Sequence, residues 1–178
     1  MSKSTLKKHL QSLTKEQVIE IITEAYSNSK AIQEYFDFYL KPDDREKAIK
    51  YKAIIEKEFG IKNPISAGLK FSVAKKAIPD FASLKPSPEA LADVMLTLPN
   101  AACSITYEYG DMSEAFYNVA ANNFHRALDF MHKHGLLNDV KLRCTNCVKY
   151  ASPCGYGFAD EIAQLYHDYF GESVQYNN

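Results

Sequence analysis

The stretch 107–137, YEYGDMSEAFYNVAANNFHRALDFMHKHGLL, carries a helix whose start and stop are both written in its side chains. Asp111 is placed to accept a hydrogen bond from the unpaired amides of a first turn. Glu114, three residues on, can reach back to the Asp111 amide, a D-x-x-E form of the capping box. Both charges stand at the positive end of the helix dipole. Phe116, Ala120, Phe124, Leu128 and Met131 then recur every three or four residues as one apolar stripe, with Asn118, Asn122, Arg126, Asp129 and Lys133 on the solvated side. Gly135 ends the helix by taking the left-handed conformation, and Leu136 folds back toward Met131. Such a stripe needs other elements to cover it. No segment of the chain shows convincing strand alternation, so those elements are expected to be helices.

Their boundaries read as follows. A short helix spans 4–12, with Leu6, Leu10 and Leu13 on its apolar side. Thr14 and Gln17 form a capping box for a second helix with the stripe Val18, Ile21, Ile22 and Ala25. A third, from Lys30 to Leu40, holds Tyr35, Phe36, Phe38 and Tyr39; consecutive aromatics cover most of its circumference, which predicts neighbours on both sides. A fourth starts at Asp43-x-x-Glu46 and buries Ala48, Tyr51, Ile54 or Ile55, and Phe59 before Gly60. Asn63-Pro64 marks a turn. The pattern Leu69, Val73, Ala77, Phe81 predicts a helix over 66–84, kinked or split at Pro79. Ser87 and Pro88 open another with Leu91, Val94, Met95 and Leu98 inward; Pro99-Asn100 interrupts it, and the chain resumes at 101–109. Segments 139–150 and 158–170 complete the set around a loop at 152–157, and the tail after Gly171 frays.

The expectation is one all-α domain over residues 1–178, with about seven to nine helices stacked as antiparallel pairs. A helical bundle and a short HEAT- or TPR-like array both fit, although no sequence period repeats. The hydrophobic share of 46% and charged share of 24% are ordinary for a globular protein of 178 residues. No run approaches the ~20 apolar residues that span a bilayer. The amphipathic, charged N-terminus lacks the apolar core of a secretion signal, and four Cys then point to reduced thiols in a cytoplasm. Residues 1–85 hold 16 Lys/Arg against 11 Asp/Glu, and residues 86–178 hold 5 against 11. A nucleic-acid surface brings a stronger basic bias and a recognisable module, so two solvated faces of opposite sign are the better reading.

Three stretches carry a family resemblance: SKSTLKKHLQSLTKEQVIEII, EYFDFYLKP followed by KYKAIIEKEF, and EYGDMSEAFYN; LKFSVAKKAIP and EALADVML fit the same pattern. Through these the chain resembles the DUF6155 family, small bacterial proteins of unknown function, over roughly residues 2–140. The resemblance implies an all-helical fold and a bacterial cytoplasmic setting, and no reaction. It sets off residues 141–178 as a Cys-containing extension with the last helix.

Two constellations are candidates for function. Tyr107, Glu108, Tyr109, Asp111, Glu114 and Tyr117 crowd one loop–helix corner, where tyrosines suit a binding surface and the carboxylates a divalent cation or acid–base pair. Cys144-x-x-Cys147 with Cys154, and His134 as a fourth ligand, have the composition of a tetrahedral zinc site; the alternative is thiols packed as small hydrophobes. His125 and His132, seven residues apart, read as surface side chains. No H-E-x-x-H, G-x-S-x-G or phosphate-binding glycine loop occurs, and only 7 Gly are present. The leading expectation is a non-enzymatic interaction or scaffold domain with a protein partner, no cofactor, no nucleic acid and no membrane. The alternatives are structural zinc at the Cys cluster or a carboxylate-metal enzyme at the EYGD corner.

Overall fold

In the computed structural model, which describes residues 1–60, 71–155 and 157–174, nine helices follow one another and no strand occurs among the described residues. They are α1 (Lys3–Gln11), α2 (Lys15–Asn28), α3 (Lys30–Leu40), α4 (Asp44–Phe59), α5 (Ser72–Ser83), α6 (Pro88–Tyr109), α7 (Glu114–His134), α8 (Leu137–Ala151) and α9 (Phe158–Phe170). The Asn63-Pro64 turn, Leu69, Lys70, Tyr156 and residues 175–178 lie outside the described residues. The fold class is all-α, as the periodicity predicts.

The helix ends show why the elements begin and stop where they do. Ser2, Thr14, Ser29, Ser87 and Ser113 each accept a hydrogen bond from an amide of the first turn that follows. At Thr14 the bond is reciprocated, Gln17 Oε1 accepting from the Thr14 amide at 3.0 Å, which completes the expected capping box. Gly135, at φ 73°, terminates α7: its amide donates to His132 O and that of Leu136 to Met131 O, the paired bonds of a Schellman motif.

The chain divides into two compact units, Met1–Asp43 and Asp44–Asn178. In the first, α2 packs against α3, and the Tyr26 hydroxyl donates to Asp37 Oδ1 at 2.8 Å. Neither α1 nor α2 buries a single residue, and α3 buries only Phe38. The expected enclosure of α3 is therefore not found: Tyr39 is 68% and Leu40 71% exposed. A three-helix segment this short has too few apolar residues to surround an aromatic helix on all sides.

In the second unit α6 is the central element, packed against α4, α5, α7 and α8, while α9 closes over α7 and α8. That is a bundle within this unit; in a solenoid each repeat touches only its neighbours. The α7 stripe is buried as read, and α4 buries Ala48, Tyr51, Ile55 and Phe59. Phe71, buried with a left-handed backbone (φ 52°), sets its ring between Phe59 of α4 and Phe116 of α7, at 5.5 and 4.8 Å.

Three boundary expectations are corrected here. Pro99 does not interrupt the chain: α6 runs unbroken through it for 22 residues, with Pro99 itself buried. One missing ladder bond is outweighed by a helix that is apolar around most of its circumference and enclosed by neighbours. Pro79, expected to kink or split its helix, does not split it: α5 continues through it, turns Ala74, Ala77 and Phe81 inward and leaves Val73 49% exposed. The cap of α7 is Ser113, not Asp111, so Glu114 occupies the first helical position and does not close a capping box.

Candidate functional site

The EYGD corner is built by the end of α6. Gly110 takes φ 90°, a conformation that side chains rarely adopt, and its amide still donates to Thr106 O. The turn delivers Asp111 to the α8–α9 connection, where Oδ1 accepts from the Gly155 amide and from the Tyr117 hydroxyl, both at 3.0 Å. The Tyr117 oxygen in turn accepts the buried Met112 amide at 2.9 Å, and its ring stacks on Phe158 at 4.4 Å. The Gly155 amide, and then the Tyr117 hydroxyl, hold the Asp111 carboxyl below the usual carboxylate range; burial pushes the Tyr117 phenol up. Asp111 and Tyr117 thus latch the α6–α7 turn to the α8–α9 loop. Tyr117, expected on a binding surface, is 2% exposed and belongs to the core. Glu114 is exposed in the first turn of α7.

Tyr107, Glu108 and Tyr109 remain outside, and they lead into a furrow. Two adjoining depressions of about 480 and 350 Å³ share Glu56, Ala101 and Ser104 and run along α6, the first between α4 and α8 and the second beside the end of α4. Each helix contributes a stripe at helical spacing: Lys52 and Glu56 from α4, Asp93, Thr97, Asn100 and Ser104 from α6, and Arg143, Asn146 and Tyr150 from α8. The second depression continues past Ile105 to Glu108 and Tyr109. Tyr107 adjoins the first depression through Tyr150, the two rings 5.3 Å apart.

At the other end Asp93 ties the three helices together. Its Oδ2 accepts from Lys52 Nζ at 2.9 Å, its Oδ1 from Arg143 Nη1, and its carbonyl from Arg143 Nη2 at 3.3 Å. Midway, Cys147 Sγ donates to Asn100 Oδ1 at 2.8 Å, which fixes that carboxamide from behind. The Asn100 N–H donors, the Ser104 hydroxyl and the Asn146 carboxamide have no intramolecular side-chain partner among the described residues. A line of uncommitted donors and acceptors is thereby set in a trough with fixed walls.

The cysteine constellation goes elsewhere. Cys144 and Cys147 are fully buried on α8, and Cys154 is half-buried with its thiol 3.9 Å from Tyr150 O. His134, in the last turn of α7, packs its ring on Phe130 at 4.3 Å. No three of these four side chains come together, and among the described residues no three His, Cys, Asp or Glu form a metal-holding group. Burial pushes both the Cys144 and Cys147 thiols up, with Cys103 adding to the shift at Cys147, so both are held in the protonated form. His125 and His132 flank the Tyr169 ring, at 6.1 and 5.8 Å.

Sequence reasoning missed Lys52, Asp93, Asn100, Ser104, Arg143 and Asn146. The signal was present: Asp93, Thr97, Asn100, Ser104 and Glu108 recur at three or four residues on an otherwise apolar helix. Reading a break at Pro99 cut that polar stripe in two.

No helix among the described residues is long and apolar enough to cross a membrane. No curated protein and no solved structure matches the chain. One family model does, over residues 1–169, a span that takes in the Cys-containing α8 and all but the last residue of α9. By that match the chain belongs to DUF6155, a family of unknown function.

Proposed function

We propose that this chain is a non-enzymatic interaction protein that holds a polypeptide partner in the furrow along α6. The observation that carries the reading is the row of Asn100 N–H donors, Ser104 hydroxyl and Asn146 carboxamide, without side-chain partners among the described residues, between two helical walls. Carboxamides and hydroxyls match the alternating donors and acceptors of an extended backbone, and Tyr107, Tyr109 and Tyr150 offer broad, stiff contact area near it. From Asp93 to Glu108 the helix rises roughly 22 Å, room for about six or seven extended residues. A reducing bacterial cytoplasm is part of the proposal: four unpaired thiols suit such a compartment.

The test is capture of a partner from extract of the source cell on the full chain, compared with Ser104→Arg, which fills the trough, and Asn146→Ala. Both variants are expected to lose a partner that the wild type and Arg126→Ala, on the solvated side of α7, retain. Equal capture by Ser104→Arg and wild type would defeat the reading.

A further inference from the structure

The segment Met1–Asp43 presents large apolar side chains that stand exposed among the described residues. Leu6, Ile19, Ile21, Ile22 and Tyr26 are all more than a third exposed, and no residue of α1 or α2 is buried. α1 packs extensively against no other helix among the described residues, although its Leu6 and Leu10, with Leu13 just beyond, form a stripe at helical spacing. Ordering an amphipathic helix in water without covering its stripe gives up most of what stabilises it, because helices this short are marginal alone.

Charge says what fits there. α1 carries Lys3, Lys7 and Lys8 and no acid; α2 carries Glu16, Glu20 and Glu24, one per turn, against a single Lys15. The three α1 lysines and the three glutamates are exposed, and none makes an ion pair among the described residues. The two helices therefore bear complementary charge beside apolar faces, yet make no extensive contact with one another among the described residues of one chain. A surface that carries both halves of its own complement is satisfied by a second copy in two-fold symmetry, α1 of each protomer meeting α2 of the other.

We infer that this protein forms a homodimer through reciprocal α1–α2 contacts between two copies. The leucine stripe of α1 covers the Ile21 and Ile22 side of α2 in the partner, and the lysine and glutamate rows set the pairing.

Sedimentation of the full chain over a wide concentration range, with circular dichroism to verify helix content, tests it by charge exchange. One variant carries Lys3→Glu, Lys7→Glu and Lys8→Glu; the other carries Glu16→Lys, Glu20→Lys and Glu24→Lys. Wild type is expected to sediment as a dimer that weakens as salt rises. Each variant alone sets like charge against like at both contacts and is expected to lose self-association by more than about tenfold. An equimolar mixture restores both contacts at once, as does one chain carrying all six changes, and both are expected to dimerise as wild type does. The chain with all six changes also guards against a misfolded single variant. A monomeric wild type, dimerisation indifferent to either set of changes, or a mixture that stays monomeric would overturn the inference. So would a monomeric wild type that binds vesicles of anionic phospholipid through α1, since a membrane surface would then be the occupant.

Discussion

Replacing Tyr117 by Phe isolates the latch at the EYGD corner. The ring stays, so its stack on Phe158 is kept and no cavity opens. What goes is one oxygen that donates to Asp111 and accepts the Met112 amide. Met112 is buried, so its N–H is left without a partner at a cost of about 1–3 kcal/mol, and the bond to the carboxylate is lost as well. A destabilisation of about 2 kcal/mol follows. For a chain of this size it lowers the melting temperature by about 4–8 °C. The urea midpoint should fall by roughly 1 M at a slope near 2 kcal/mol/M. Urea titration followed by far-ultraviolet circular dichroism measures the midpoint, and Phe158→Ala, with a large buried ring removed, serves as the upper reference at about 3–5 kcal/mol. A Tyr117→Phe midpoint within about 0.2 M of wild type would refute the latch as a source of stability.

Asp111→Asn should destabilise near neutral pH and match wild type in acid. The folded-state carboxyl is held below its ordinary value by the Gly155 amide, so its stabilisation is fully present above the unfolded value near 3.9 and is lost as pH falls through the lower folded value. A variant that stays less stable than wild type at the acid end would contradict this. Pro79→Ala, at an exposed position inside α5, returns a ladder bond to the Lys75 carbonyl and should stabilise by about 1–2 kcal/mol in thermal melts; a lowered melting temperature would show that Pro79 shapes the helix beyond its missing amide. Zinc is the competing reading of the cysteines: protein purified under reducing conditions without chelator should melt at the same temperature before and after chelation. A loss of several degrees, abolished by Cys144→Ser, would establish a metal centre.

Helices with strong local signals were legible. Thr14 with Gln17, and Gly135 with Leu136, fix ends through bonds between near neighbours in sequence, and those ends stand where the residues place them. The α7 and α4 stripes were legible because each of these helices hides one face. The errors fall where distant contacts decide. Asp111 has the chemistry of a cap, but Gly155, 44 residues away, and Tyr117 claim its carboxylate, and Ser113 takes the cap. Pro99 has the chemistry of a break, but burial between helices holds α6 together. Tyr117 groups in sequence with the tyrosines of the corner, but its ring stacks on Phe158 of the last helix and is buried, a contact that no local pattern reports. The furrow needed three helices brought side by side, and no one of their stripes reports the other two.

α6 explains why furrow and core can coexist in so small a unit. Much of its circumference, through Ala92, Val94, Leu96, Leu98, Ala102, Cys103 and Ile105, is committed to packing, which leaves a polar stripe between α4 and α8. Lys52 and Arg143 are each about a third exposed beside Asp93. Ion pairs at such exposure contribute little net stability, because water screens the charges and two long side chains must be ordered. Their consequence is geometric: one carboxylate and its carbonyl hold a cation from either wall, which fixes the width of the trough at that end. At the far end the Gly110 turn and the Asp111 latch secure α6 against the α8–α9 loop. Between two fixed ends, Asn100 is oriented by Cys147 from within the core. On the proposed reading, a trough held this way would lose little conformational freedom when occupied, and that saving would let a short polar segment bind with useful affinity.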